Sequence, residues 1–361
     1  MPVSAKATAS SGLSDTIPKA RISCHALVVM FGQTLRENLL SPVVLAFALG
    51  FGARAAGSKL RLPQPLHASL SAYLLLAIGL KGGVELGRAP LSALAAPAAV
   101  TLLLSALTPL AAFLVLRARF SRTDAAGIAA HYGSVSAVTF VAAQQFTANV
   151  GSPAEGFMPA MVALMESPGI HLAIALGGAR AAAATSRGVL ALPALSSSPS
   201  GAFAAVHEVL VSPTMVLLGG GVCIGALSGE HGYGAVRPFF DAGFKGALTL
   251  FLLDMGLSAG EQLPSLRESG TFLVAFGLVM PLGFGSLGVL LGHAAGLSLG
   301  GAAVLGAMSG SASYIAAPAA VRLALPEANP APGLAAALLV TFPFNLALGI
   351  PLYVQIARAL S

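Results

Sequence analysis

His131-Tyr132-Gly133-Ser134-Val135-Ser136-Ala137-Val138-Thr139-Phe140 lies within an apolar run, and Gly310-Ser311-Ala312-Ser313 repeats its Gly-Ser-x-Ser core 177 residues later. Glycine lets a helix break, and serine is a favoured N-cap. Each motif therefore predicts a span that stops midway and restarts as a capped half-helix. The segment around the first begins near Asp124, so Gly133 lies about 14 Å along it at ~1.5 Å per residue. Gly310 is equally deep in its own segment. A capped half-helix end presents amide N–H groups and the positive end of the helix dipole. Two such ends facing each other make an anion site with little full charge. This assigns substrate binding to Gly133, Ser134, Val135 and Ser136 with Gly310, Ser311, Ala312 and Ser313. Tight helix contact would use the same small residues, but two copies at matched depth favour a site.

Working outward, the 177-residue offset also lays residues 78–86 (IGLKGGVEL) on 255–263 (MGLSAGEQL), and an offset of 171 lays Ser41-Pro42 on Ser212-Pro213. The three matches keep their order, one per corresponding span, as an internal repeat requires. A helix needs about 20 apolar residues to cross the hydrocarbon. Ten segments qualify: 39–56, 66–87, 91–116, 125–148, 156–178, 207–227, 239–259, 271–294, 299–321 and 333–357. Five spans per half force the second copy to enter from the opposite side. The expected fold is thus an all-α polytopic membrane protein, ten helices as a 5+5 inverted repeat with two broken helices crossing at the midplane. Its expected parts are an N-terminal extension (1–29), a first repeat (30–178), a cytoplasmic linker (179–206) rich in serine and alanine, and a second repeat (207–361).

Composition agrees. Of 361 residues 56% are hydrophobic and 9% charged, against about 25% charged in soluble domains. Mean hydropathy is +0.85. A water-facing surface cannot be made from so few charges, and lipid is the expected surroundings. Barrel strands would alternate polar with apolar residues, which these runs do not. The net charge of +6 does not mark a nucleic-acid binder, because the bases sit singly or in threes between apolar runs. They mark topology instead. Arg54, Lys59, Arg61, Arg117, Arg119, Arg122, Arg180, Arg187, Arg267 and Arg322 follow odd-numbered spans, whereas only Arg88 and Arg237 follow even ones. The odd loops are therefore cytoplasmic and both termini outside, although Lys6, Lys19, Arg21 and Arg36 argue the other way. Two readings fit residues 1–29: a transit peptide, which would place the protein in a chloroplast envelope, or a true start at Met30 and a plasma (inner) membrane. Cys24 and Cys223 have no metal-ligand spacing and no disulfide framework.

Several stretches also resemble the sodium-dependent bicarbonate transporter family of cyanobacterial carbon-concentrating systems. They are Asn38-Leu39-Leu40-Ser41-Pro42, residues 77–86, residues 131–140, Met165-Glu166-Ser167-Pro168, residues 310–316 and residues 322–330. The resemblance runs from about Met30 to Tyr353. It implies a ten-helix sodium/bicarbonate symporter, a homotrimer, and inhibition by a small PII-like cytoplasmic protein. It also implies that the anion sits between the two Gly-Ser-x-Ser breaks with sodium beside it. The linker departs from the family pattern, so the regulator is less well supported than transport.

Charged and polar groups inside spans are functional candidates. Sodium wants several hard oxygens, and the candidates are Glu85, Thr139, Glu166, Asp254 and Asn345. Lys81 and Glu85, four apart, share a helix face and are expected to neutralise each other. Asp254 has no basic neighbour within a turn and reads as a lone cation or proton site. Glu166 precedes a proline break, and Asn345 occupies the mirror region of Pro168. His131, His171 and His293 read as core histidines. The alternative substrate is another small anion, sulfate or a carboxylate, coupled to sodium or protons. No enzyme is expected: residues 306–310 (GAMSG) are one residue too long for a serine-protease motif, and HExxH is lacking.

Overall fold

Serine hydroxyls decide where the helices begin. Ser41 caps the amide of Val44, Ser121 that of Asp124 (3.1 Å), Ser136 that of Thr139 (3.2 Å) and Ser298 that of Gly301 (3.1 Å). Each leaves one fewer orphan amide in a first turn. In the computed structural model, residues 36, 39–166, 168–183, 211 and 213–361 are described. The extension 1–29, most of the linker, Cys24, Ser167 and Ser212 lie outside them.

The described residues form helices and no strand. These are α1 (Pro42–Ala55), α2 (Gln64–Leu86), α3 (Leu91–Leu116), α4 (Arg122–Tyr132), α5 (Ala137–Asn149), α6 (Met158–Glu166) and α7 (Pro168–Ala183). After the linker come α8 (Pro213–Arg237), α9 (Phe244–Glu261), α10 (Leu263–Ala294), α11 (Leu299–Ser309), α12 (Ala316–Ala324) and α13 (Pro330–Leu360, with π-helical turns at Ala336–Thr341 and Asn345–Gly349). Seven continuous or jointed helices are long and apolar enough to cross a membrane, and Pro42–Ala55 and Leu299–Ser309 are shorter apolar ones. With this length and hydropathy, the protein is a helical membrane protein. Segment six differs from its expected bounds: α8 runs on to Arg237, kinked at Gly229 (φ 61°), and a π-turn at Pro238–Ala242 leads into α9. Prolines 97 and 109 stay inside α3, where Thr101 and Thr108 donate to the carbonyls of Pro97 and Leu104.

Two helix pairs, α1 with α9 and α2 with α8, form one group, while α3–α7 and α10–α13 form the other. The pairs owe their closeness to glycine. A Cβ on Gly50 would overlap the Leu253 carbonyl and lie 2.9 Å from the Leu257 amide. A Cβ on Gly221 would lie 3.1 Å from the Leu76 carbonyl and 3.2 Å from the Leu80 amide. Gly221 stands 171 residues after Gly50, and Leu253 and Leu257 stand 177 after Leu76 and Leu80. The two pairs are thus the same contact with the halves exchanged. Gly50→Ala is expected to lower the unfolding midpoint in detergent by about 1–3 kcal/mol, as overpacking does. Gly52→Ala, with nothing within 4 Å of the new methyl, is expected to leave it unchanged or raise it by up to about 1 kcal/mol. Equal shifts in the two variants would refute the close-approach account.

Candidate functional site

Both motifs break their helices. Gly133 ends α4, and α5 restarts after Ser136; Gly310 ends α11, and α12 restarts at Ala316. The two breaks meet and repair each other. The Ser136 amide donates to Ser311 Oγ (2.9 Å), and the Ser313 amide donates to the His131 carbonyl (2.7 Å). His131 Nδ1 lies 2.6 Å from the Ser313 carbonyl, which can only accept, so that nitrogen carries the proton. Ser311 Oγ in turn donates to the Met308 carbonyl (2.7 Å). Ser136 Oγ caps Thr139, and Ser313 Oγ accepts from the Ala317 amide. Three of the four motif serines are therefore committed to the crossing. The fourth, buried Ser134, has no hydrogen-bond partner for its hydroxyl among the described residues.

Neighbouring helices hold the crossing from both sides. Asn345 Nδ2 donates to the Gly310 carbonyl (2.7 Å), and the Tyr353 hydroxyl lies within bonding distance of Asn345 Oδ1 and the Pro281 carbonyl. On the other side, Gly133 approaches Gly169 so closely that a Cβ would stand 2.7 Å from its carbonyl carbon. Ser105 Oγ secures that turn, donating to the Met165 carbonyl and accepting from the Gly169 amide.

Against the crossing lies a pocket of about 30 Å³, lined by Val135, Ser136, Ser313, Tyr314, Glu166 and apolar residues of α2 and α9. Glu166 is 4% exposed, and its Oε2 has no partner among the described residues; the same holds for Thr139 Oγ1 and the Tyr314 hydroxyl. Two larger cavities flank the pocket. One, of about 460 Å³, shares Ile78 and Val141 with it; the other, of about 700 Å³, shares Tyr314 and Ile315. Their walls correspond at the 177-residue offset: Ala77 with Asp254, Ile78 with Met255, Lys81 with Ser258, Glu85 with Gln262, Val141 with Pro318, and Gln145 with Arg322.

A sequence profile of the Na+-dependent bicarbonate transporter superfamily matches residues 42–358, spanning both breaks and all three cavities. The chain belongs to this superfamily. No individually curated protein matches it.

In this superfamily member the five candidate sodium ligands do not converge. Thr139 and Glu166 keep free buried oxygens near the crossing, whereas Asn345 is occupied in holding Gly310. Glu85 lines the smaller flanking cavity, and Asp254 the larger. Two expectations need correcting. Asp254 is not alone, because His67 Nδ1 from α2 lies 2.6 Å from its Oδ2; sequence spacing cannot show a partner on another helix. Lys81 and Glu85 do not pair: Lys81 faces Asp241 at 3.8 Å, and Glu85 faces Arg88 at 3.5 Å. The competing partners stand across the groove or on the next turn. His131 is the hydrogen-bonded core histidine expected, and Cys223 is free and exposed. Ser309 donates to the Leu305 carbonyl in its own helix. Sequence reasoning missed Tyr314 and His67; Tyr314 directly follows the second motif, which was the available signal.

Because Ser311 Oγ satisfies a buried amide, Ser311→Ala is expected to cost about 1–3 kcal/mol of stability. Ser134→Ala, removing an unpartnered hydroxyl, is expected to change stability by under about 0.5 kcal/mol. Thermal unfolding of the two variants in one detergent checks this.

Proposed function

We propose that the protein imports bicarbonate coupled to sodium by alternating access, on ten spans arranged as a 5+5 inverted repeat with residues 30–178 and 207–361 as its halves. One observation carries this reading: two mutually repaired helix breaks border a small pocket with free polar atoms, between two cavities whose walls are repeat-equivalent. In an inverted repeat, equivalent walls face opposite sides of the membrane. Exchanging which cavity reaches the pocket is then alternating access.

The anion would lie against the breaks at 133–136 and 310–313. Ala137 and Val138, which line the pocket, supply first-turn amides of α5, and Ser134, just before them and outside the pocket lining, carries the free hydroxyl we assign to the anion. Helix dipole and amides suit a monovalent anion without a full cation. Glu166, the acidic residue in the pocket wall, would repel a lone anion once ionised, and a cation beside it is what would hold it ionised. Glu166 Oε2 and Thr139 Oγ1 are the sodium ligands we assign. Each charge moved across the membrane is worth ~2.3 kcal/mol per 100 mV. One sodium therefore offsets the cost of importing one anion against an inside-negative potential, and the sodium gradient supplies the drive.

The basic loops after odd spans support a cytoplasmic side for the cavity lined by Arg61 and Arg322, and a plasma (inner) membrane is the location we infer. The family resemblance adds a homotrimer and a PII-like regulator acting from that side.

Labelled bicarbonate uptake into proteoliposomes tests the reading. Uptake is expected to require a sodium gradient and to be insensitive to sulfate; sodium-independent uptake overturns the coupling. Ser134→Ala is expected to cut uptake about tenfold or more, the loss of one hydrogen bond to a charge. Glu166→Gln is expected to raise the sodium concentration for half-maximal uptake by about tenfold or more. Unchanged uptake in both variants would overturn the assigned site.

A further inference from the structure

Topology explains most of the 19 Lys and Arg residues. Outside the loops assigned to the cytoplasm and the two chain ends, Lys81, Arg88, Arg237 and Lys245 remain. Lys81 of α2 and Lys245 of α9 line the 460 Å³ cavity, while Arg88, in the turn after α2, and Arg237, at the end of α8, join Lys81 through shared carboxylates. Arg88 meets Glu230 (3.0 Å) and Glu85 (3.5 Å), Arg237 meets Glu230 and Asp241, and Lys81 meets Asp241 (3.8 Å). The Tyr233 hydroxyl also donates to Asp241 (2.8 Å). Three carboxylates therefore pair with three of the four cations, and the fourth, Lys245, is exposed and makes no ion pair among the described residues. Lys245 and Lys81 both line the cavity, which reaches the inner pocket at Ile78 and Val141.

We propose that Lys245, supported by Lys81, forms an outer capture site that draws a small monovalent anion into this cavity ahead of the crossing. The inference rests on the transport reading above and deepens it. The inner pocket has dipoles and hydroxyls but no full positive charge, so it binds at short range only. A unit charge at the mouth acts over the cavity's length and raises the local anion concentration. At roughly 10 Å, through a mainly aqueous path, one charge changes that concentration by about two- to fourfold. Lysine suits the task, since a hydrated point charge on a flexible stem holds an anion loosely and lets it pass on.

Initial rates of bicarbonate uptake at saturating sodium test the proposal in wild type, Lys245→Arg, Lys245→Gln and Lys245→Glu. Lys245→Arg is expected to keep KM, Lys245→Gln to raise it about two- to fourfold, and Lys245→Glu to raise it by about the same factor again, with kcat unchanged throughout. Added salt should flatten the series. A KM indifferent to the charge at position 245, or an effect on kcat alone, overturns the capture site. A wild type that takes up no bicarbonate overturns the transport reading instead. Repeating the series in phosphatidylcholine vesicles with and without phosphatidylglycerol separates a free anion from a lipid headgroup. A series seen with both lipids supports the proposal, and one seen only with the anionic lipid overturns it.

Discussion

A backbone amide or carbonyl without a partner is costly wherever water is excluded, and this protein interrupts two buried helices. Everything around its centre follows from how those interruptions are satisfied. The breaks do so for each other, through the Ser136 amide on Ser311 Oγ, the Ser313 amide on the His131 carbonyl, and His131 Nδ1 on the Ser313 carbonyl. The same bonds that make the crossing possible use up most of the hydroxyls a ligand might have claimed. What is left over, on Ser134, Thr139, Glu166 and Tyr314, is the chemistry on which the proposed transport depends.

That economy separates two roles within one short motif. The glycines end helices and allow contact as close as Gly133 against Gly169. Three serines then hold the restarted helices together, and one is left unpartnered. The glycine-mediated pairs α1–α9 and α2–α8 place smooth helix faces beside the crossing. Ile78, Val141, Tyr314 and Ile315 form the narrow walls between the pocket and its two cavities. In the proposed transport, a change in how the two helix groups sit opens one wall or the other.

Much of this was legible beforehand, because it rests on local patterns. Long apolar runs, scarce charge and capping serines are properties of neighbouring residues, and the described helices fall on the segments they mark. The repeated motif at a fixed offset located both breaks before any coordinate was known. Long-range pairing was not legible. Lys81 and Glu85 are well spaced for a helical ion pair, but Asp241 and Arg88 compete for them. Asp254 lacks a basic neighbour in its own helix, but His67 reaches it from another. Tyr314 carried a position beside the motif and no hint that it would stand between two cavities.

By itself, then, the sequence determined the solvent, the helical class, and where helices start and break, since each depends on hydropathy and backbone preference over a few turns. Only the tertiary structure decided which polar atoms are spent and which stay free. It also decided which of the scattered charges share a cavity. Hydrogen bonds and ion pairs are exclusive and act over a few ångströms, so their outcome depends on distances between residues as much as 209 positions apart, such as Tyr132 and Thr341. No local pattern encodes those distances.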